Sequence, residues 1–293
     1  IRSCLVGSEM CIRDSIEAMH ADGQDLSQIA VLVRAGFQTR EFEERFIAIG
    51  LPYRVVGARF YERAEIRDAI AYLRLIAQPA DDLAFERIIN TPKRGLGTAS
   101  IQALHMQARS SDKPLLAAAI DLSQSDELRP AARNALGEFC KNMRRWRDSV
   151  GSMHHTDLAK ILLDESGYTG MWMADKSPEA EGRLENLTEL VNAMQDFDSL
   201  QGFLEHISLV MDGDRESETG EVTLMTLHAA KGLEFDTVFL PGWEEGIFPS
   251  QRTIDENGAV GLEEERRLAY VGITRARKTV QLSFAGSRRI NGQ

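Results

Sequence analysis

A chain of 293 residues has room for about two domains, and 43% hydrophobic with 27% charged residues fits a soluble globular protein without an apolar run of membrane-spanning length. The net charge of −11 argues mildly against nucleic acid as a partner, since non-specific affinity comes from Lys and Arg neutralising phosphates, yet it leaves a local basic groove open. Three cysteines (Cys4, Cys11 and Cys140) are too few and too scattered for a disulfide framework or a zinc site, which points to a reducing cytoplasm.

Ile1 to Ser15, IRSCLVGSEMCIRDS, has no clear periodicity and lacks the basic start and long apolar core of a signal peptide. It reads as a tail of cloning or frame origin and is set aside; Ser15 to His20 starts a helix. Ile29 to Arg34, IAVLVR, reads as a short buried strand that ends in a charge. Thr39 to Ile49 reads as a helix: Phe42, Phe46 and Ile49 share a face, Glu41 and Arg45 stand four apart, and Gly50 ends it. Pro52 to Val56 is the next strand, so strand, helix and strand make a βαβ unit of a parallel sheet.

From Gly57 the periodicity turns helical. Ile66, Ile70, Leu73 and Ala77 stripe one helix, and Asp82 to Asn90 make a second. Thr91 to Gly97, TPKRGLG, is a tight basic turn in front of a helix from Thr98 to Ala108, with Thr98 as its N-cap. Glycines such as Gly95 and Gly97 let backbone N–H groups approach phosphates closely, and a helix start favours anions. An ordinary helix–helix turn is the competing reading. Further helices are expected over 115–121, 128–149, 156–165, 178–197 and 200–211. Lys141, Arg144, Arg145 and Arg147 read as a solvated helix face, and Trp146 and Trp172 as packing residues. Asp212 to Glu221 is a polar, acidic return linker.

Val222, Leu224 and Met225 restart the α/β pattern as a strand apolar on both faces. Thr226 and His228 lie at its end, where ligands bind in open α/β sheets. Ala229 to Phe235 turns the chain, carrying Lys231 and Glu234, and Val238 to Leu240 make another buried strand. A surface pair of Lys231 with Glu234 and a satisfied edge histidine are the bland alternative. Gly261 to Ala276 reads as a helix in which Leu268, Val271 and Arg275 are spaced by three and seven, and Thr279 to Ala285 is a last alternating strand. The α/β, helical, α/β order makes the helical block an insertion in an α/β domain.

Three blocks in order, TLHAAKGLEF, GWEEGIFP and EEERRLAYVGITRA, resemble the C-terminal motifs of UvrD/PcrA/Rep-type superfamily 1 DNA helicases, and the resemblance runs from about Ile29 to the end. It implies an α/β fold: part of a RecA-like P-loop NTPase-type parallel sheet domain, over 16–56 and 221–293, interrupted by a mostly α-helical subdomain over 57–220. RFYERAEIRDAIAYLRLIA resembles the opening of that insert, with the single Gly57 where the family usually has two glycines.

The resemblance also implies roles. Arg275 matches the arginine that reaches the γ-phosphate of ATP, where a guanidinium holds an anion at two points and never loses its charge. Its alternative is an ion pair with one of Glu263 to Glu265. Glu234 resembles the residue at the ATP ribose, Gly232 completes the turn with Lys231, and Thr226 and His228 resemble the pair that holds a DNA phosphate. In VLVRAGFQTREFEE, Arg34 and Gln38 match a segment that touches single-stranded DNA, with Gly36 where the family has an Asn. An ion pair at the strand end is the other reading of Arg34. Lys93, Arg94, Gly95 and Gly97 resemble an element that touches duplex phosphates.

No GxxxxGK[ST] sequence occurs, no acidic DExx block ends a buried strand, and the family's QNYRS block would lie upstream of Ile29. The resemblance therefore implies the C-terminal half of a helicase acting 3′-to-5′ in DNA repair. ATP and Mg²⁺ would be held mainly by an N-terminal half, no metal ligands would lie in this chain, and this part alone would not hydrolyse ATP. Single-stranded and duplex DNA, the N-terminal helicase domains and DNA-repair proteins are the implied partners, with no membrane and a cytoplasmic location. A non-catalytic DNA-binding module derived from a helicase, or an AddA/RecB-type helicase–nuclease, are the alternatives.

Overall fold

The computed structural model describes residues 2–4, 8–212 and 220–285. The chain divides into two units, Ile1–Phe60 with Val210–Gln293, and Tyr61–Leu209.

The first unit is built on a sheet of β1 (Arg2–Cys4), β2 (Ile29–Val33), β3 (Tyr53–Val55), β4 (Val222–Thr226), β5 (Phe235–Leu240) and β6 (Ala276–Ala285). Their order is β1-β6-β5-β2-β4-β3, and every neighbouring pair is parallel. β2 sits inside the sheet, and all five of its residues are buried. This is why its sequence is apolar at every position rather than at alternate ones. Successive side chains still go to opposite layers. Ile29, Val31 and Val33 join Ile16, Leu26, Phe42, Phe46, Leu224 and Phe239 on one face. Ala30 and Leu32 join Met225, Val238, Leu240, Phe248 and Leu268 on the other. Each of these side chains larger than alanine contributes about 1.5–3 kcal/mol by leaving water.

Helices α1 (Ser8–Ala21) and α2 (Thr39–Ile49) supply the first layer. α2 has the bounds that periodicity predicts and stops at Gly50, which takes a left-handed φ of 69° and donates to the Ile47 and Phe46 carbonyls. α1 begins inside the segment set aside at the sequence level, and Ile12 and Ile16 are part of the core. Cys11 takes part in a disulfide, a pairing that the cysteine count argues against.

The second unit is helical. In chain order it holds α3 (Ala64–Ala77), α4 (Asp82–Ile88), α5 (Thr98–Ser111), α6 (Leu115–Ser123), α7 (Pro130–Asp148), α8 (His155–Glu165), α9 (Tyr168–Ala174) and α10 (Ala180–Ala193). α11 (Leu200–Asp212) returns the chain toward β4. Ile66, Ile70 and Leu73 are buried as the stripe predicts, whereas Ala77 is exposed. α9 was not legible from spacing, because a helix of seven residues completes barely two turns. Its Tyr168 is fully buried, with its ring 6.1 Å from that of Tyr72 and its hydroxyl 3.0 Å from Asp68 Oδ2. Trp146 is a packing residue, 3% exposed, whose indole N–H donates to Glu165.

The remaining helix, α12 (Gln251–Ile273), is longer than the predicted 261–276 and breaks at Gly258, where φ is 54° and ψ is −131°. The part before the break is polar and lacks an apolar stripe, so periodicity misses it. Ser250 starts it by accepting the Thr253 N–H, and Gly261 lies so close that a Cβ there would stand 2.1 Å from the Thr253 carbonyl oxygen.

Candidate nucleotide and nucleic-acid site

Parallel strands bring their carboxyl ends to one edge of the sheet, and polar side chains gather there. Val33 of β2 pairs with Thr226 of β4, and the Leu227 N–H donates to the Val33 carbonyl at 2.8 Å. Arg34 and His228 therefore leave adjacent strand ends. Beyond Thr226 the chain turns at once: the Ala229 N–H donates to the Thr226 carbonyl at 3.0 Å and reaches its hydroxyl at 3.4 Å. Lys231, Gly232, Leu233 and Glu234 are all exposed before β5 begins. Gly232 has a φ of 87° and open space around its Cα, so this turn requires a residue free of the left-handed penalty. No ion pair joins Lys231 to Glu234 among the described residues.

Arg34 forms a side-on ion pair with Glu265 of α12. Its Nε lies 3.1 and 3.0 Å from the two carboxylate oxygens, and its Nη2 lies 2.6 Å from Oε1. Glu265 is 2% exposed and also accepts the Ser250 N–H at 3.1 Å. Burial pushes its carboxyl up, but the Arg34 and Ser250 hydrogen bonds and the Arg34 charge hold it net below the usual carboxylate range. His228 is exposed, and its imidazole is held below its ordinary value by local desolvation and by the Arg34 cation.

Arg275 follows α12. Its Nε donates to the Val271 carbonyl at 3.0 Å, its Nη2 to the Thr274 hydroxyl at 3.1 Å, and its Nη1 to the Leu233 carbonyl at 3.0 Å. Its own carbonyl accepts the Phe235 N–H at 2.9 Å. The expected competing partners are engaged elsewhere: Glu263 with Arg266, Glu264 with Arg267, and Glu265 with Arg34. Among the described residues the guanidinium thus meets neutral oxygens and makes no ion pair.

Gln38 is turned inward. It is 8% exposed, and its Oε1 accepts the Ala35 N–H at 2.8 Å, bracing the chain just after Arg34.

In the helical unit, the basic turn carries an exposed Lys93, an exposed Gly95 at φ 73° and an exposed Gly97. Gly97, rather than Thr98, is the N-cap of α5. Arg94 points inward: Nη1 donates to the carbonyls of Ile88 (2.7 Å), Ile89 (3.1 Å) and Pro92 (3.2 Å), and Nη2 to the Tyr72 hydroxyl. Its guanidinium also lies 5.0 Å from the Phe139 ring centroid. Of the basic residues on α7, Arg145 is paired with Glu165 at 2.6 Å.

Sequence reasoning missed Leu233 as an anchor and named Glu265 only as a partner for Arg275. A signal for Glu265 exists: Gly261, Glu265, Leu268 and Gly272 are spaced four, three and four apart, and all are buried on one face of α12. A charge in such a stripe demands a partner. Among the described residues no group of three or more His, Cys, Asp or Glu could hold a metal ion, and no helix is long and apolar enough to cross a membrane.

Residues 8–287 match the family described as the UvrD-like helicase C-terminal domain. The chain is 47% identical over 272 residues to a probable DNA helicase II homolog of Rickettsia felis, covering 92% of this chain and 42% of that protein. It is 40% identical over 290 residues to DNA helicase II of Escherichia coli, covering 95% and 40%. It is 40% identical over 304 residues to the ATP-dependent DNA helicase PcrA of Bacillus subtilis, covering 98% and 40%. The chain thus spans about two-fifths of the length of these relatives. With the ordered motifs, the all-parallel sheet and this match over nearly its whole length, the chain belongs to the UvrD-like helicase C-terminal domain family.

Proposed function

We propose that this chain is the part of an ATP-dependent 3′-to-5′ DNA helicase that grips single-stranded DNA at its sheet edge and completes an ATP site held mainly by another domain. The observation that carries the reading is Arg275: a guanidinium without a carboxylate partner among the described residues, bonded to the turn that carries Gly232 and Glu234. The same turn begins at Thr226 and His228, so one short segment serves nucleotide on one side and DNA on the other.

In this reading residues 16–56 and 221–293 form the second RecA-like domain, and 57–220 form an insert that contacts duplex DNA. ATP with Mg²⁺ supplies the phosphoanhydride whose cleavage drives movement. Arg275 neutralises charge on the γ-phosphate, Glu234 accepts a hydrogen bond from the ribose, and Gly232 offers an unobstructed backbone N–H. Thr226, His228 and Arg34 donate to DNA phosphates, and Gln38 braces the segment that follows Arg34. Lys93 with the open N–H groups of Gly95 and Gly97 takes duplex phosphates, while Arg94 holds their turn in shape. The setting is the cytoplasm, with DNA-repair proteins as partners.

The test is ATP hydrolysis with and without single-stranded DNA. The chain alone should show no turnover. Adding a polypeptide that carries a relative's phosphate-binding loop should create DNA-stimulated turnover, and Arg275→Ala should abolish it. Turnover by the chain alone, or turnover indifferent to Arg275, would overturn the reading.

A further inference from the structure

We infer that Glu265 is a positioning residue for DNA: it grips one edge of the Arg34 guanidinium and so presents the other edge to a phosphate at the sheet edge. The inference rests on the proposed role of Arg34 in binding single-stranded DNA.

A carboxylate that faces an arginine can either compete with a phosphate or orient the arginine toward it. Three features decide for orientation. First, the pair is side-on, using Nε and Nη2, while Nη1 has no partner among the described residues. A guanidinium has five N–H donors in a rigid plane, so fixing one edge fixes the direction of the other. Second, Glu265 cannot swing away with a moving partner. It is 2% exposed and anchored by the Ser250 N–H at 3.1 Å, at the start of its own helix. Thr253 adds a contact to Arg34 Nη2 at 3.4 Å. Third, the presented edge lies at the strand end next to the one that bears His228, and the Arg34 charge is felt by that imidazole. Two donors from adjacent strand ends suit the two non-bridging oxygens of one phosphate. Breaking such a pair leaves a guanidinium with its rotamers released, and binding then bears the cost of ordering it again.

The arrangement adds a connection. Glu265 and Arg275 lie on the same stretch of α12 and its end, after the break at Gly258. A shift of that stretch therefore moves the grip on DNA together with the nucleotide-facing guanidinium.

The experiment is fluorescence anisotropy of a labelled oligothymidylate with the whole chain, without nucleotide, across a salt series. Wild type, Glu265→Ala, Arg34→Ala and the double variant form a cycle. Glu265→Ala should weaken binding about tenfold and reduce the slope of log affinity against log salt by about 0.7, the share of one single-strand phosphate contact. In the Arg34→Ala background the second change should have no further effect, because Glu265 acts through Arg34. Circular dichroism melting reports whether each variant folds; should Glu265→Ala unfold, Glu265→Gln, which keeps an acceptor for Ser250, carries the same cycle with a smaller loss. Tighter binding by the Glu265 variants would show competition instead and overturn the inference. An equal loss in both backgrounds would show a general structural role and overturn it as well. A wild-type chain that binds no oligothymidylate would overturn the functional reading itself, which separates the two failures.

Discussion

Arg275 closes the turn between β4 and β5 by donating from Nη1 to the Leu233 carbonyl at 3.0 Å, while its backbone carbonyl accepts the Phe235 N–H at 2.9 Å. Side chain and main chain of one residue thus hold both sides of Glu234. Lysine keeps the charge but cannot reach three neutral acceptors in fixed directions. Arg275→Lys is expected to lower the reconstituted, DNA-stimulated ATP hydrolysis by about 10³-fold or more, the range for a transition-state arginine. Thermal melting should fall by only a few degrees. A loss of turnover that merely tracks a loss of fold would point to bracing alone.

Gly261 has no room for a side chain. A Cβ would stand 2.1 Å from the Thr253 carbonyl oxygen, a backbone atom, and 3.1 Å from Asn257 Cβ. Gly261→Ala should cost about 1–3 kcal/mol in urea unfolding, the usual penalty of overpacking. At Gly272 the nearest atoms are flexible leucine ends, Leu227 Cδ2 at 2.6 Å and Leu240 Cδ2 at 3.2 Å, so Gly272→Ala should cost less. Equal costs would argue that the α12 break is loosely held.

Acid should weaken the first unit in two stages. His228 has its folded pKa lowered by desolvation and by Arg34. Below about pH 6.5 the unfolded chain takes a proton that the folded chain resists, so stability declines as pH falls through the folded value. The Glu265 carboxyl is also lowered overall: its contribution is fully present above about pH 4.3 and is lost as pH falls through its folded value. Urea unfolding at a series of pH values should show both declines. His228→Asn should remove the upper one, and Glu265→Gln should flatten the lower one. Curves of unchanged shape in both variants would contradict this assignment.

Cys140 is a buried free thiol, and desolvation pushes its pKa up to about 12. With almost no thiolate present at pH 8, native protein should leave Cys140 unmodified by a maleimide over the time in which urea-unfolded protein reacts fully. Peptide mass spectrometry reads the site. Rapid native labelling would show that α7 opens locally.

Two neighbours in the basic turn should behave oppositely. Arg94→Ala removes hydrogen bonds to three carbonyls and to the Tyr72 hydroxyl, and should destabilise the helical unit by about 2–4 kcal/mol. Lys93 is exposed, so Lys93→Ala should leave melting unchanged and reduce the salt dependence of duplex binding by about one phosphate contact. The reverse pattern would exchange their roles.

What the sequence by itself determined is what local chemistry encodes. Apolar runs such as IAVLV marked the inner strands, the Phe42, Phe46 and Ile49 spacing with Gly50 marked α2, and the ordered motif blocks marked the strand-end residues. These follow from periodicity and turn preference, which act over a few residues. Tertiary structure alone decided who meets whom. Arg34 found Glu265 at a sequence separation of 231, and only the sheet's strand order brings that stretch of α12 to β2. Arg94 turned inward because α4 and α3 offered carbonyls and a hydroxyl in the directions of its fork, while Lys93 next to it stayed in water. Ile12 and Ile16 joined the core because a sheet face left bare must be covered, whatever the periodicity before them. A guanidinium's partner depends on distance and burial, and neither is written in the spacing of residues along a chain.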